Sequence, residues 1–134
     1  MQAFLMTPKM TTIQGVFYPT GYAFLMFPDA QNTEQAAREL EDTGFNGQDI
    51  MLLTPEDILK EIGKIDGESS LALPSVGTEG ATVRKYIDLA HEGHYALMVR
   101  APTDKDAERV MSIVRKFPFS YAQKYHILAI EDLE

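Results

Sequence analysis

The chain has 134 residues, 45% of them hydrophobic, and a formal net charge of −8. That length and hydrophobic share suit one folded unit with its own core and exclude a disordered chain. The absence of cysteine excludes disulfides, a thiolate nucleophile and cysteine-ligated zinc, and the acidic balance works against phosphate and anionic membrane. No apolar run nears the roughly 20 residues that span a bilayer. Residues 1–20, interrupted by Pro8 and Pro19, lack the long apolar centre of a signal peptide. The expected setting is the cytoplasm, with no membrane partner.

Residues 1–20 read as an N-terminal arm or edge strand, with 13–18 as the strand candidate and the first ten residues loose. Gly21-Tyr22-Ala23-Phe24-Leu25-Met26-Phe27 is the most apolar run of the first half, and it predicts strand one over 22–27, closed by Pro28-Asp29. Asn32 or Thr33 offers an N-cap. Ala36, Ala37 and Leu40 then follow at helical spacing, so helix one spans 32–43 with Gly44 as its C′ residue. Phe45 folds back as an apolar plug, Asn46-Gly47 turns the chain, and Ile50-Met51-Leu52-Leu53 is strand two. Thr54-Pro55-Glu56-Asp57 starts helix two, with a cap, a proline at the first position and acids in the first turn. Ile58, Leu59 and Ile62 give it an apolar stripe, and Gly63 ends it.

Residues 64–80, rich in Gly, Ser and Pro, form the one long loop and a candidate functional segment. Helix three runs over 79–92, with Val83, Tyr86, Ile87 and Ala90 on one face and Gly93 as its stop. Strand three covers 94–100. Thr103 to Asp106 caps helix four, whose Ala107, Val110, Met111 and Val114 recur at 3.6 spacing as far as Lys116. Pro118 breaks it. Strand four is placed at Tyr125 to Ile130, before an acidic tail.

The two halves repeat. Tyr-Ala-Phe-Leu-Met-Phe at 22–27 aligns with Tyr-Ala-Leu-Met-Val-Arg at 95–100, and Ile50 to Leu53 aligns with 127–130. Two tandem β-α-β units predict an α+β, ferredoxin-like sandwich over 21–134, with strand order 4-1-3-2 and a helical insertion between strands two and three. Strand one is apolar on both sides, so it requires cover on both faces. The inserted helices, the N-terminal arm or a second subunit are the candidates for the second cover. The last of these gives the expectation of a homodimer through the sheet.

Residues 20–27, Thr-Gly-Tyr-Ala-Phe-Leu-Met-Phe, resemble the RNP1 signature of the RNA recognition motif at every position but the first, where Thr20 stands for a basic residue. The likeness runs on through Ala36-Ala37 to Phe45-Asn46-Gly47-Gln48-Asp49-Ile50 and covers about 20–53. It implies that Tyr22 and Phe24, with Tyr95 beside them, stack on bases of single-stranded RNA from an open sheet face. Two departures stand against it. In that family the signature lies on the third strand, and here eight acids and one arginine lie between Asp29 and Asp57. A second resemblance covers about 21–131. Gly44-Phe45, then Asp49-Ile50-Met51-Leu52-Leu53, then the helix stop Gly93 before Tyr95-Ala96-Leu97-Met98-Val99, is similar to the bacterial heat-induced or general stress protein domain. That resemblance implies a small stress-related binding or regulatory protein and no catalytic residue.

Little in the remaining sequence points to chemistry. His91 and His94 have metal-like spacing, but Gly93 ends the helix between them, and His126 is remote in sequence. No metal and no cofactor are expected. Arg109, Arg115, Lys116 and Lys124 suggest a modest basic edge, while Asp104, Asp106 and Glu108 read as helix-capping acids. An alternative small-molecule or enzyme site lies under the 64–80 loop, using Tyr86, His91 or His94. The leading expectation is a non-catalytic binding or regulatory protein.

Overall fold

The apolar strands and capped helices are realised as an α+β fold with a six-stranded mixed sheet. The computed structural model describes residues 1–12, 16–63, 78–127 and 129–134. The strands are β1 Gln2–Ala3, β2 Tyr22–Phe27, β3 Ile50–Leu53, β4 Tyr95–Arg100, β5 Tyr121–Tyr125 and β6 Ile130–Asp132. Four helices accompany them among the described residues. These are α1 Ala30–Asp42, α2 Pro55–Asp57 with its π-helical continuation Ile58–Ile62, α3 Thr78–His91 and α4 Asp104–Val114. The sheet order is β1-β3-β4-β2-β5-β6, with β1 parallel to β3 and the other neighbours antiparallel. The four longer strands therefore stand as β5-β2-β4-β3, with β2 and β4 central as the repeat predicts.

Local signals place most element ends. Thr54 and Thr103 each close a capping box, with Asp57 and Asp106 as reciprocal partners. Helix α1 begins earlier than expected because Asp29, rather than Asn32 or Thr33, is its N-cap. The Asp29 carboxylate accepts from the Asn32 amide N–H at 2.8 Å. Helices α1 and α3 end alike. Gly44 and Gly93 take positive φ of 112° and 89°. The residue after each glycine donates its amide back, Phe45 to the Leu40 carbonyl and His94 to the Leu89 carbonyl. This double back-bond needs a left-handed residue that only glycine adopts without strain. Gly63 does not act this way, since its backbone stays right-handed helical. The 64–77 part of the long loop lies outside the described residues.

Both sheet faces are covered from within the chain. On one face Ala23, Leu25 and Phe27 pack with Ala36, Ala37 and Leu40 of α1 and with Val110, Met111 and Val114 of α4. On the other, Phe24 and Met26 pack with Ile58 and Ile62 of α2, Val83 and Tyr86 of α3, and Met10 and Phe17 of the N-terminal segment. Those two residues come from a segment that is not loose. β1 pairs with β3, and Met10 and Phe17 are buried. The second cover expected for a two-sided strand is thus supplied by the inserted helices and the arm. Each large apolar side chain buried this way contributes about 1.5–3 kcal/mol.

One strand is misplaced by the sequence reading. Strand four is not 125–130 but β5 at Tyr121–Tyr125, and a turn then leads to β6. The reason is burial set by neighbouring strands. Tyr121-Ala122-Gln123-Lys124-Tyr125 looks half polar, yet Gln123 and Lys124 are buried, while the apolar Ile127 stands 81% exposed.

Candidate functional site

The aromatic platform expected on the sheet is not assembled. Phe24 is wholly buried, its ring stacked on Tyr86 at 3.9 Å between centroids and 21° between planes, with Phe17 edge-on at 6.0 Å. Tyr22 is half-buried against the same layer. Tyr95 lies opposite Phe27, at the far end of the β2–β4 pair from Tyr22, which lies opposite Arg100. Side chains alternate along a strand, so Tyr95 shares the face of Phe27 and not that of Phe24. The three aromatics stand on two faces, and the central one is enclosed.

The residues expected beneath the long loop are likewise separated in role. Tyr86 is sealed in the core, and its hydroxyl and that of Tyr125 bond to each other at 2.8 Å. Burial first, and then the Tyr125 phenol beside it, push the Tyr86 phenol well above its ordinary range. His91 is exposed on the last turn of α3. His94 is half-buried beyond Gly93, with its Nδ1 2.8 Å from the Ser120 hydroxyl.

Polar groups converge instead at one end of the sheet, where the start of α4 meets the β5–β6 hairpin. The hairpin is fixed by the His126 amide, which donates to the Ala129 carbonyl at 2.8 Å, and by pairing of Lys124 with Glu131 and of Gln123 with Asp132. Directly opposed residues share a face. Lys124 also pairs with Ala23 of β2, so Lys124 and Glu131 both look towards the layer of α1 and α4. His126, two residues after Lys124, follows on that side. Its Nε2 lies 2.9 Å from a Glu131 carboxylate oxygen.

Two crevices open beside His126. The first, about 430 Å³, is lined by Asp104, Glu108, Arg115, His126, Glu131 and Asp132 among others. Asp104, His126 and Glu131 form the one set among the described residues whose donor atoms could share a metal ion, all lying within 4.8 Å of one another. Carboxylate and imidazole donors of this kind suit a divalent cation such as Mn²⁺ or Zn²⁺. The second crevice, about 530 Å³, is lined by Thr20, Pro102, Lys124, His126, Ile127 and Ala129 among others. Both volumes fall in the range of small-ligand sites.

The expected basic edge dissolves in this geometry. Lys116 pairs with Glu39 of α1, Arg109 lies 3.7 Å from Asp106 and stacks over Phe45, and Lys124 is buried. Asp106 caps α4 as expected, but Asp104 faces the first crevice. Sequence spacing gives no hint of this site, because its three possible ligands come from a helix start, from the residue after β5 and from β6. No protein-family model, curated protein or solved structure matches this chain.

Proposed function

We propose that the chain is a small, non-catalytic binding or regulatory protein, built as a ferredoxin-like sandwich, that takes its ligand at the hairpin end of the sheet. The strand order β5-β2-β4-β3, with α1 and α4 on one face, supports that sandwich. The resemblance to the bacterial general stress protein domain supplies a stress-related setting for the reading. One contrast carries it. Both faces of the sheet are filled by the chain's own helices and arm, whereas Asp104, His126 and Glu131 converge beside open crevices at one end.

Amide chemical-shift mapping tests the proposal, using ZnCl₂ and single-stranded RNA as separate titrants. Saturable shifts confined to 104–111 and 124–133 on adding Zn²⁺, removed by His126→Ala, are the expected result. Saturable shifts around Tyr22 and Tyr95 on adding RNA would overturn the reading and restore the RNA-binding one.

A further inference from the structure

Asp104 is not needed where it stands. The capping box of α4 is closed by Thr103 and Asp106, so the Asp104 carboxylate has no part in it. Its oxygen lies instead within 4.8 Å of donor atoms of both His126 and Glu131. The His126–Glu131 contact at 2.9 Å is complete without it. A second carboxylate beside that pair is repelled by the first unless a cation is shared between them.

The surroundings favour such a cation. Asp104, Glu108, Glu131 and Asp132 line the crevice of about 430 Å³, and Arg115 is the one Lys or Arg among its lining residues. With His126 neutral, four carboxylates against one guanidinium leave a formal excess of three negative charges. The amino end of α4 adds only about half a positive charge. The spacing also suits one ion. Ligand atoms 2.0–2.2 Å from a tetrahedral metal lie about 3.3–3.6 Å from each other. The observed 4.8 Å limit exceeds that by little more than about 1 Å, and Asp104 and Glu131 are both exposed, so side-chain rotation can close the gap.

We infer that one divalent transition-metal ion bridges α4 to the β5–β6 hairpin, held by a carboxylate oxygen of Asp104, an imidazole nitrogen of His126 and a carboxylate oxygen of Glu131. The inference rests on the reading of the hairpin end as the binding end. It names the ligand class there and makes the ion a tie between a helix and a hairpin that are otherwise separate in the chain. An imidazole beside two carboxylates selects Zn²⁺ or Mn²⁺ over Mg²⁺ and Ca²⁺, which take oxygen ligands. Three protein ligands leave at least one coordination position facing the crevice.

Calorimetric titration with ZnCl₂, and with MgCl₂ in parallel, reads affinity and stoichiometry. Thermal melts with Zn²⁺ and with a chelator read the tie. The variants are Asp104→Asn, His126→Ala and Glu131→Gln, with Glu108→Gln as the control that removes a crevice charge outside the ligand set. Wild type is expected to bind one Zn²⁺ per chain, with Mg²⁺ far weaker. A hundredfold excess of Zn²⁺ over Kd should raise its Tm by roughly 5–10 °C. Each of the three ligand variants should weaken Zn²⁺ about tenfold or more, since loss of even an outer-shell partner does as much. Glu108→Gln should stay within about threefold. All four variants should melt close to wild type in chelator, which separates lost binding from lost folding. Zn²⁺ binding that needs His126 but is unchanged in Asp104→Asn would overturn the bridge and leave the hairpin-end reading standing. Equal weakening by Glu108→Gln and Asp104→Asn, or Mg²⁺ binding as tight as Zn²⁺, would reduce the site to a diffuse acidic patch and overturn the inference. No Zn²⁺ binding by wild type would remove the inference and the hairpin-end reading together.

Discussion

Tyr86 ties three parts of the molecule together at a single phenol. Its ring lies on Phe24 of β2, its hydroxyl bonds to Tyr125 of β5, and its backbone belongs to α3. Because burial raises its pKa, the folded state holds the proton that an unfolded tyrosine releases near pH 10. The stability linked to this group is complete below about pH 10 and is lost as pH rises from there towards the folded-state value. An alkaline titration followed by phenolate absorbance and circular dichroism should show the last phenolate signal arriving together with unfolding, not before it. Phe24 carries a complementary prediction. Since its ring is enclosed, Phe24→Ala should lower unfolding free energy by about 3–5 kcal/mol in urea, as large-to-small core changes do. A binding role on an open surface would leave stability almost untouched.

At the level of elements, the helix signals were legible and three strands, β1, β5 and β6, were not. Capping boxes at Thr54 and Thr103 and the C′ glycines Gly44 and Gly93 act through residues three to five apart, so sequence alone shows them. A Cβ on Gly93 would meet nothing within 4 Å, but its φ of +89° is left-handed. Gly93→Ala should therefore cost the conformational penalty alone, about 1–2 kcal/mol by thermal or urea unfolding. Thr103→Ala should cost about 1 kcal/mol through the lost cap on α4. β5 escaped because its pattern is decided by neighbours distant in sequence. Gln123 and Lys124 are buried between β2 and β6, while the apolar Ile127 lies beyond the end of β5 and is exposed. Conflicts between local pattern and final burial are expected where function, not packing, chose the residue. The candidate site stayed hidden for the same reason. Asp104, His126 and Glu131 meet only once α4 and the hairpin are in place.

For the whole molecule, the two-sided apolarity of β2 was a correct sign that the sheet needs two covers, but its sequence could not say whose. The chain supplies both. The sheet-face homodimer that this apolarity suggested has no open face among the described residues to form on. The outermost strands are short, β1 with two residues and β6 with three, and β6 carries Glu131 and Asp132. Short, charged edges discourage pairing with another chain. Sedimentation at micromolar concentration is expected to read the mass of one chain, and a mass of two would show an interface elsewhere. No helix among the described residues is long and apolar enough to cross a membrane.

The central pairing of β2 with β4 also sets the order in which the molecule can be made. Tyr22–Phe27 is synthesised first, and its hydrogen-bonding partner Tyr95–Arg100 follows about seventy residues later, roughly 4–15 s at ordinary translation rates. Until then the hexapeptide Tyr-Ala-Phe-Leu-Met-Phe has no charge, no proline and both edges unpaired, which are the features of an aggregation-prone segment. Its other neighbour, β5, comes later still. Refolding should accordingly be slow for a chain of this size, limited by a long-range closure rather than by its helices. Ribosome-stalled chains ending before about residue 95 should be the ones that a chaperone holds.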